Sequence, residues 1–195
     1  MMTKENITIA ALRLFLLRGY KYVSLVDVAN EAGITKGGVY HYFASKQELL
    51  HAAVHYLFDR CESKYTELFR DARSLRDMLQ AILVEQVLER YAQNLLCVEQ
   101  GDYRVNYASF ALEVMQNFPE IQERIDLSQL RFCNIIEQKI QTAVDKQEIR
   151  SDLNSHAMAV IILSLLEGQH PLGDHFKTPE IRKQMMEHIW KFISV

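Results

Sequence analysis

Residues 24–43 read SLVDVANEAGITKGGVYHYF. Ser24 is a good N-cap for a short helix over Leu25–Ala32, and Gly33 ends it at a turn position suited to positive φ. Thr35 then caps a second short helix over Lys36–Tyr42. Val28, Ala29, Ile34 and Val39 are small or β-branched, as a tight crossing of two short helices requires. A short helix, a glycine-containing turn and a second short helix form a helix-turn-helix, whose second helix can enter a DNA major groove. Within that second helix Gly37 and Gly38 are costly, each by about 1 kcal/mol relative to alanine. Bare backbone at a helix N-terminus offers N–H groups and a positive dipole end to phosphate at close approach. The glycines are therefore expected to serve the groove.

The same reading assigns the contacts. Lys36 reaches toward the groove floor beside Gly37 and Gly38. Ser24 and Thr35 cap helices and donate to phosphate, while Tyr40, His41 and Tyr42 supply donors at different angles. Lys46 adds a flanking cation, and most of these contacts position the protein rather than read bases. Phe43, and Tyr42 with it, is expected to pack inward. Ser45 caps the next helix, with Glu48 three residues later completing a capping box. A nucleotide-binding loop is a poor alternative: Gly33 and Gly38 have its first spacing, but Val39 stands where lysine is required and no strand precedes.

Outward from this segment the chain reads as all-α, about nine helices in 195 residues. The expected spans are Thr3–Arg18, Leu25–Ala32, Lys36–Tyr42, Lys46–Arg70, Ser74–Gln100, Tyr103–Asn117, Pro119–Gln147, a helix capped by Asp152 or Asn154 and ending at Gly168, and Pro179–Ile193. Gly19 stops the first, and Gly101-Asp102 separates the fifth from the sixth. The domain reading is a helix-turn-helix domain over 1–50, its motif at about 24–43, and a helical body over 51–195.

Net charge is −3, which taken alone argues against nucleic acid. The charge is uneven: residues 1–50 hold six basic and four acidic side chains, the remainder 16 and 21. A positive head on an acidic body suits a DNA-binding module joined to a different domain. Cys61, Cys97 and Cys133 are far apart and lack metal or redox spacing, so they read as reduced packing residues of a cytoplasmic protein. The start of the chain lacks a signal-peptide pattern. Ala157–Leu166, the longest apolar run, is far short of the ~20 residues that span a bilayer. No membrane partner, metal or cofactor is expected. His51 and His55 share a helix face four residues apart, but no third ligand stands near in sequence.

Residues Ile7–Leu50 closely resemble the N-terminal domain of TetR-type transcriptional regulators. The resemblance rests on the AA-x-x-LF-x-x-x-GY pattern of the first helix, on VDVANEAGITKGGVYHYF, and on SK-x-x-L at the start of the fourth. It covers about a quarter of the chain densely; Ser24 departs from the commoner threonine but keeps the hydroxyl. The resemblance implies a homodimer on a palindromic operator, usually repressing transcription, and released when a small-molecule effector in the body moves the fourth helix.

In the body, the helix through Ala157–Leu166 is apolar nearly all round and must bury both faces. Ile181, Met185, Met186, Ile189, Trp190 and Ile193 form one stripe of the last helix. Val160, Leu163 and Leu166 with Met185, Met186, Ile189 and Trp190 are the expected dimer interface; the alternative is that both helices belong to the chain's own core. Tyr91, Tyr103, Tyr107, Phe110, Glu113, Met115, Cys133 and Glu137 are candidate effector-pocket residues, apolar with a few polar anchors. His170 and His175 lie in the loop before the last helix and read equally well as solvated or as functional. The chain does not read as an enzyme, because it lacks H-E-x-x-H, a paired-aspartate motif and any nucleophile–base constellation. A DNA-binding regulator or architectural protein without a small effector is a further alternative, as is an all-α enzyme with a vestigial head.

Overall fold

The computed structural model describes residues 4–96, 107–169 and 171–195, with backbone alone at Tyr107 and Ala108. Among the described residues there are ten α-helices and no strand: α1 Lys4–Arg18, α2 Leu25–Glu31, α3 Lys36–Tyr42, α4 Lys46–Asp71, α5 Leu75–Leu79, α6 Val87–Leu95, α7 Tyr107–Asn117, α8 Pro119–Asp145, α9 Ser155–Gln169 and α10 Pro179–Ile193. An isolated antiparallel bridge joins Ile149 to Ser194, with the Arg150 N–H donating to the Ile193 carbonyl at 2.9 Å. Thr3, Cys97, Gly101, Asp102, Tyr103 and His170 lie outside the described residues.

The chain forms two compact units, Met1–Cys61 with Tyr91–Asp126, and Glu62–Arg90 with Leu127–Val195. In the first, α1 is the axis. Ile7, Ala10, Ala11, Leu12, Leu14, Phe15 and Leu16 are buried, and Leu17 is half-buried. Val28, Val39, Phe43, Leu49, Leu50, Ala53 and Val54 pack on it from α2 to α4, and Leu96, Phe110, Val114, Ile121 and Ile125 close the same core. An Arg13–Glu31 ion pair at 3.1 Å ties α1 to α2 at the surface. The second unit has its own core, from Tyr65, Phe69, Met78, Leu79, Leu83, Ile136, Ile140, Ile162, Met186 and Ile193 among others. There Lys139 of α8 donates to the carbonyls of Phe69 and Ala72, satisfying acceptors that the end of α4 leaves open.

Two local expectations are corrected, and a third is narrowed to one of its two residues. A single helix over Ser74–Gln100 does not form: after α5 a π turn occupies Gln80–Val84, closed by the Glu85 N–H on the Gln80 carbonyl, and Gln86 takes φ +51°. One extra residue in the turn followed by a left-handed residue ends the helix, and α6 begins anew. No glycine or proline marks the break, so the sequence hides it. At α4, Ser45 accepts from the Glu48 N–H at 3.0 Å, but the Glu48 carboxylate takes the Ala44 N–H at 2.7 Å instead of closing the box on Ser45. Before α9 the cap is Asn154, accepting from the Ala157 N–H at 2.8 Å, because Asp152 is occupied by Arg150.

Gly19 and Gly33 take φ of +84° and +67°. A Cβ at Gly33 would meet nothing within 4 Å, whereas one at Gly19 would stand 3.2 Å from Oε2 of Glu113. Gly33→Ala should therefore carry only the left-handed backbone cost of about 1–2 kcal/mol, and Gly19→Ala that cost plus disturbance of Glu113. Urea denaturation of the two variants should rank Gly19→Ala as the less stable.

Candidate nucleic-acid interface

α2 and α3 are seven residues each, too short to persist alone, and each is held by a cap and a few buried side chains. Ser24 Oγ accepts from the Asp27 N–H at 3.2 Å, while the Asp27 carboxylate accepts from both the Ser24 N–H (2.7 Å) and its hydroxyl (2.6 Å). This is a complete capping box, and the sequence signal S-x-x-D at 24–27 is the one that sequence reasoning overlooked. The Ser24 bonds hold the Asp27 carboxyl below the ordinary carboxylate range. They also commit the Ser24 hydroxyl hydrogen to Asp27.

The turn between the helices is closed by the Ile34 N–H on the Ala29 carbonyl at 2.9 Å. Thr35 Oγ1 accepts from the Gly38 N–H at 3.1 Å and starts α3. Val39 is the buried residue of α3, and Phe43, four positions on, is also buried. That i, i+4 pair is the inward stripe. Lys36, Gly37, Tyr40 and His41 face solvent, as does Thr35. Tyr42 is exposed too, correcting its inward placement: at about 100° per residue it falls off the stripe that Val39 and Phe43 define.

Neither glycine of α3 is required by the fold. Both have ordinary helical backbone. A Cβ at Gly37 would approach only Thr35 Oγ1, at 3.8 Å, and one at Gly38 would make its tightest contact at 3.4 Å with the end of Ile34. Whatever needs bare backbone at Gly37 is not a neighbour within the described chain.

The cations around this face differ in freedom. The Lys36 ammonium stands 5.6 Å from the Tyr40 ring centroid, with both side chains outward. Lys46 is folded back over Tyr20, its Nζ 4.1 Å from the ring centroid. Burial pulls the Lys46 ammonium below its ordinary range, while the charges of Glu113 and Asp27 act the other way.

The expected pocket residues are spread. Phe110 is buried in the first core and Met115 packs against it. Glu113 accepts from the backbone N–H groups of Tyr20 and Lys21 at 2.9 Å each, so both its oxygens are engaged by the turn after α1. Tyr91 is half-buried on α6. Cys133 is buried in the second core, its thiol pushed up by burial, and Glu137 contacts His156 at 2.8 Å. Tyr103 and the Tyr107 side chain lie outside what is described.

Of the expected dimer residues, Met186 is buried in the second unit's own core, against which Leu163, Leu166, Ile189 and Trp190 also pack. Trp190 carries the Arg76 guanidinium 5.4 Å from its ring centroid. Met185 is half-buried. Val160 is exposed, as are Ile161 and Phe192, which the sequence reading did not single out. His51 pairs with Glu120 at 2.9 Å, and among the described residues no three metal-capable side chains come together. No described helix is long and apolar enough to cross a membrane.

A capped, glycine-turned helix pair presenting the second helix to solvent defines a helix-turn-helix DNA-binding transcriptional regulator. Residues 7–53 match the family model of the bacterial regulatory proteins of the tetR family, and residues 107–189 match the tetracyclin repressor-like C-terminal domain. The chain belongs to the TetR family. It is 24% identical over 166 residues to the transcriptional regulator UidR of Escherichia coli K12, covering 85% of this chain and 79% of that protein. It is 26% identical over 167 residues to the regulator TtgR of Pseudomonas putida, covering 85% and 77%. A TetR-family regulator from Cytophaga hutchinsonii shares the fold with a TM-score of 0.76 at 19% identity, covering 100% of this chain and 98% of that one.

Two outcomes follow from this geometry. Gly37→Ala should raise stability by up to about 1 kcal/mol while weakening DNA binding, readable from paired denaturation and binding curves. Asp27 has a folded-state pKa below its unfolded one, so its contribution is complete above the unfolded carboxylate range and fades as pH falls through the lowered value. The stability gap between the natural chain and Asp27→Asn, measured by urea melts, should therefore be widest near neutrality and close in acid.

Proposed function

We propose that the chain is a cytoplasmic repressor that binds a palindromic operator as a homodimer and is released by a small-molecule effector. The reading rests above all on α3, which anchors itself through Val39 and Phe43 and leaves Lys36, Gly37, Tyr40, His41 and Tyr42 outward. Residues 1–50 form the DNA-binding domain. The backbone at Gly37 and Gly38 approaches the duplex, Lys36 and Tyr40 reach base edges and phosphates, and Thr35, His41 and Tyr42 fix the register. Ser24 contributes chiefly as the α2 cap, and Lys46 engages phosphate when it leaves Tyr20.

Dimerisation is supported by apolar side chains that the single chain leaves outward. Val160 and Ile161 on α9 and Phe192 on α10 are exposed, and Ile161 and Phe192 reach 50% and 61%. A partner copy that covers them would remove that surface from water. Effector binding falls to the helical body, residues 51–195.

The test is a mobility-shift titration on DNA flanking the chain's own gene. Lys36→Ala or Tyr40→Ala should weaken binding by about 1–3 kcal/mol each, and affinity should fall steeply with salt as counterions are released. Retained affinity in both variants would remove α3 from the groove. In analytical ultracentrifugation, Ile161→Glu with Phe192→Glu should give a folded monomer that binds the operator weakly; an intact dimer would remove α9 and α10 from the interface.

A further inference from the structure

Glu113 lies on α7, outside the DNA-reading face, and its carboxylate is bonded to the turn that leads from α1 to α2. Its Oε2 accepts from the Tyr20 N–H and its Oε1 from the Lys21 N–H, each at 2.9 Å. These two amides follow Gly19, where positive φ turns the chain out of α1. A carboxylate that takes two successive backbone N–H groups is a charge-assisted, two-point contact, and it fixes direction as well as distance. The absence of a side chain at Gly19 leaves the room, since a Cβ there would stand 3.2 Å from Oε2.

The turn that Glu113 holds leads directly to α2. Tyr20 is packed edge-on against Phe15 and Phe118, at centroid distances of 5.3 and 5.2 Å. Lys46, the flanking cation, sits over the same Tyr20 ring. Three residues beyond Lys21, Ser24 caps α2. On α4, His51 and Gln47 both meet Glu120, at 2.9 and 3.4 Å. Thus α7 and the first turn of α8 hold the reading head at two places, the turn after α1 and the start of α4, within one compact unit.

We propose that Glu113 is a positioning residue for operator binding: it fixes the Gly19–Lys21 turn, and with it the α2 cap and the seat of Lys46, so that α7 sets the placement of the DNA-facing surface. The inference rests on the reading of that surface as the operator contact. It assigns Glu113 to positioning the head and not to effector recognition. It also accounts for an ionisable side chain on α7 spending both oxygens on backbone amides of the head.

The experiment uses the full chain and a duplex that the natural protein selects from random-sequence DNA. Affinities for this duplex and for an unrelated one are measured by fluorescence anisotropy, well below the melting temperature of every variant. Glu113→Gln keeps the shape but places an NH2 group against one amide. It should raise the Kd for the selected duplex about tenfold and leave that for the unrelated duplex unchanged, because counterion release does not depend on the turn. Glu113→Asp, one methylene shorter, should fall between. The Tyr20 and Lys21 amide resonances should move upfield in the 1H–15N spectrum of the Gln variant. A natural chain that selects no duplex would refute the reading of the surface itself. If the natural chain selects one and the Gln variant binds it equally well with its two amides shifted, the positioning role is overturned. A Gln variant that no longer folds, or that loses both affinities together, would make Glu113 a structural residue only and overturn it equally.

Discussion

Burial of Val39 and Phe43 in the α1 core is the constraint on which the reading head depends. A seven-residue helix forms too few internal hydrogen bonds to offset the ordering of its backbone, so α3 exists because tertiary packing holds it. The anchoring is confined to one narrow stripe, which is what frees the other positions for solvent. Deeper burial would steady the helix and remove side chains from the outward face. The Thr35 cap and the Gly33 turn fix where that stripe begins, and the shared core to which α1 and α2 both contribute supplies the surface it packs on.

The helix-turn-helix was readable in the sequence because each boundary carries its own chemistry. Ser24, Gly33, Thr35 and Ser45 are caps and stops whose physics is local, and α2 and α3 fall within a residue of where those signals put them. The same holds for α10, which Pro179 announces and which the Thr178 cap starts. What could not be read was partly local geometry without a marker residue and partly non-local packing. Tyr42 lies outside the inward stripe because of its angular position relative to Phe43, and the π turn at Gln80–Val84 lacks any breaker residue. Glu113 shows the difference most clearly. As a carboxylate among aromatic residues it suggested a polar anchor in a pocket, and only the fold brings it to amides 92 and 93 positions earlier in the chain.

The body illustrates a second limit. An apolar stripe on a helix says that a face is buried without saying against what. Met186 and Trp190 share the stripe of α10, yet Met186 fills the chain's own core while Trp190 is half-covered beneath Arg76. On α9 the nearly uniform apolarity divides into Met158, Ala159 and Ile162, buried within the unit, and Val160 and Ile161, left outward. Sorting them takes the position of every neighbouring helix.

The α2 capping box has a consequence for how the protein meets DNA. Asp27 is ionised and bonded to the N-terminal turn of α2, so an anion of the chain's own already occupies part of what a phosphate would seek there. With a net charge of −3, the molecule has little long-range attraction for a random duplex. On the proposed reading of α3, close-range fit at that helix, and not net charge, would hold the protein on its operator.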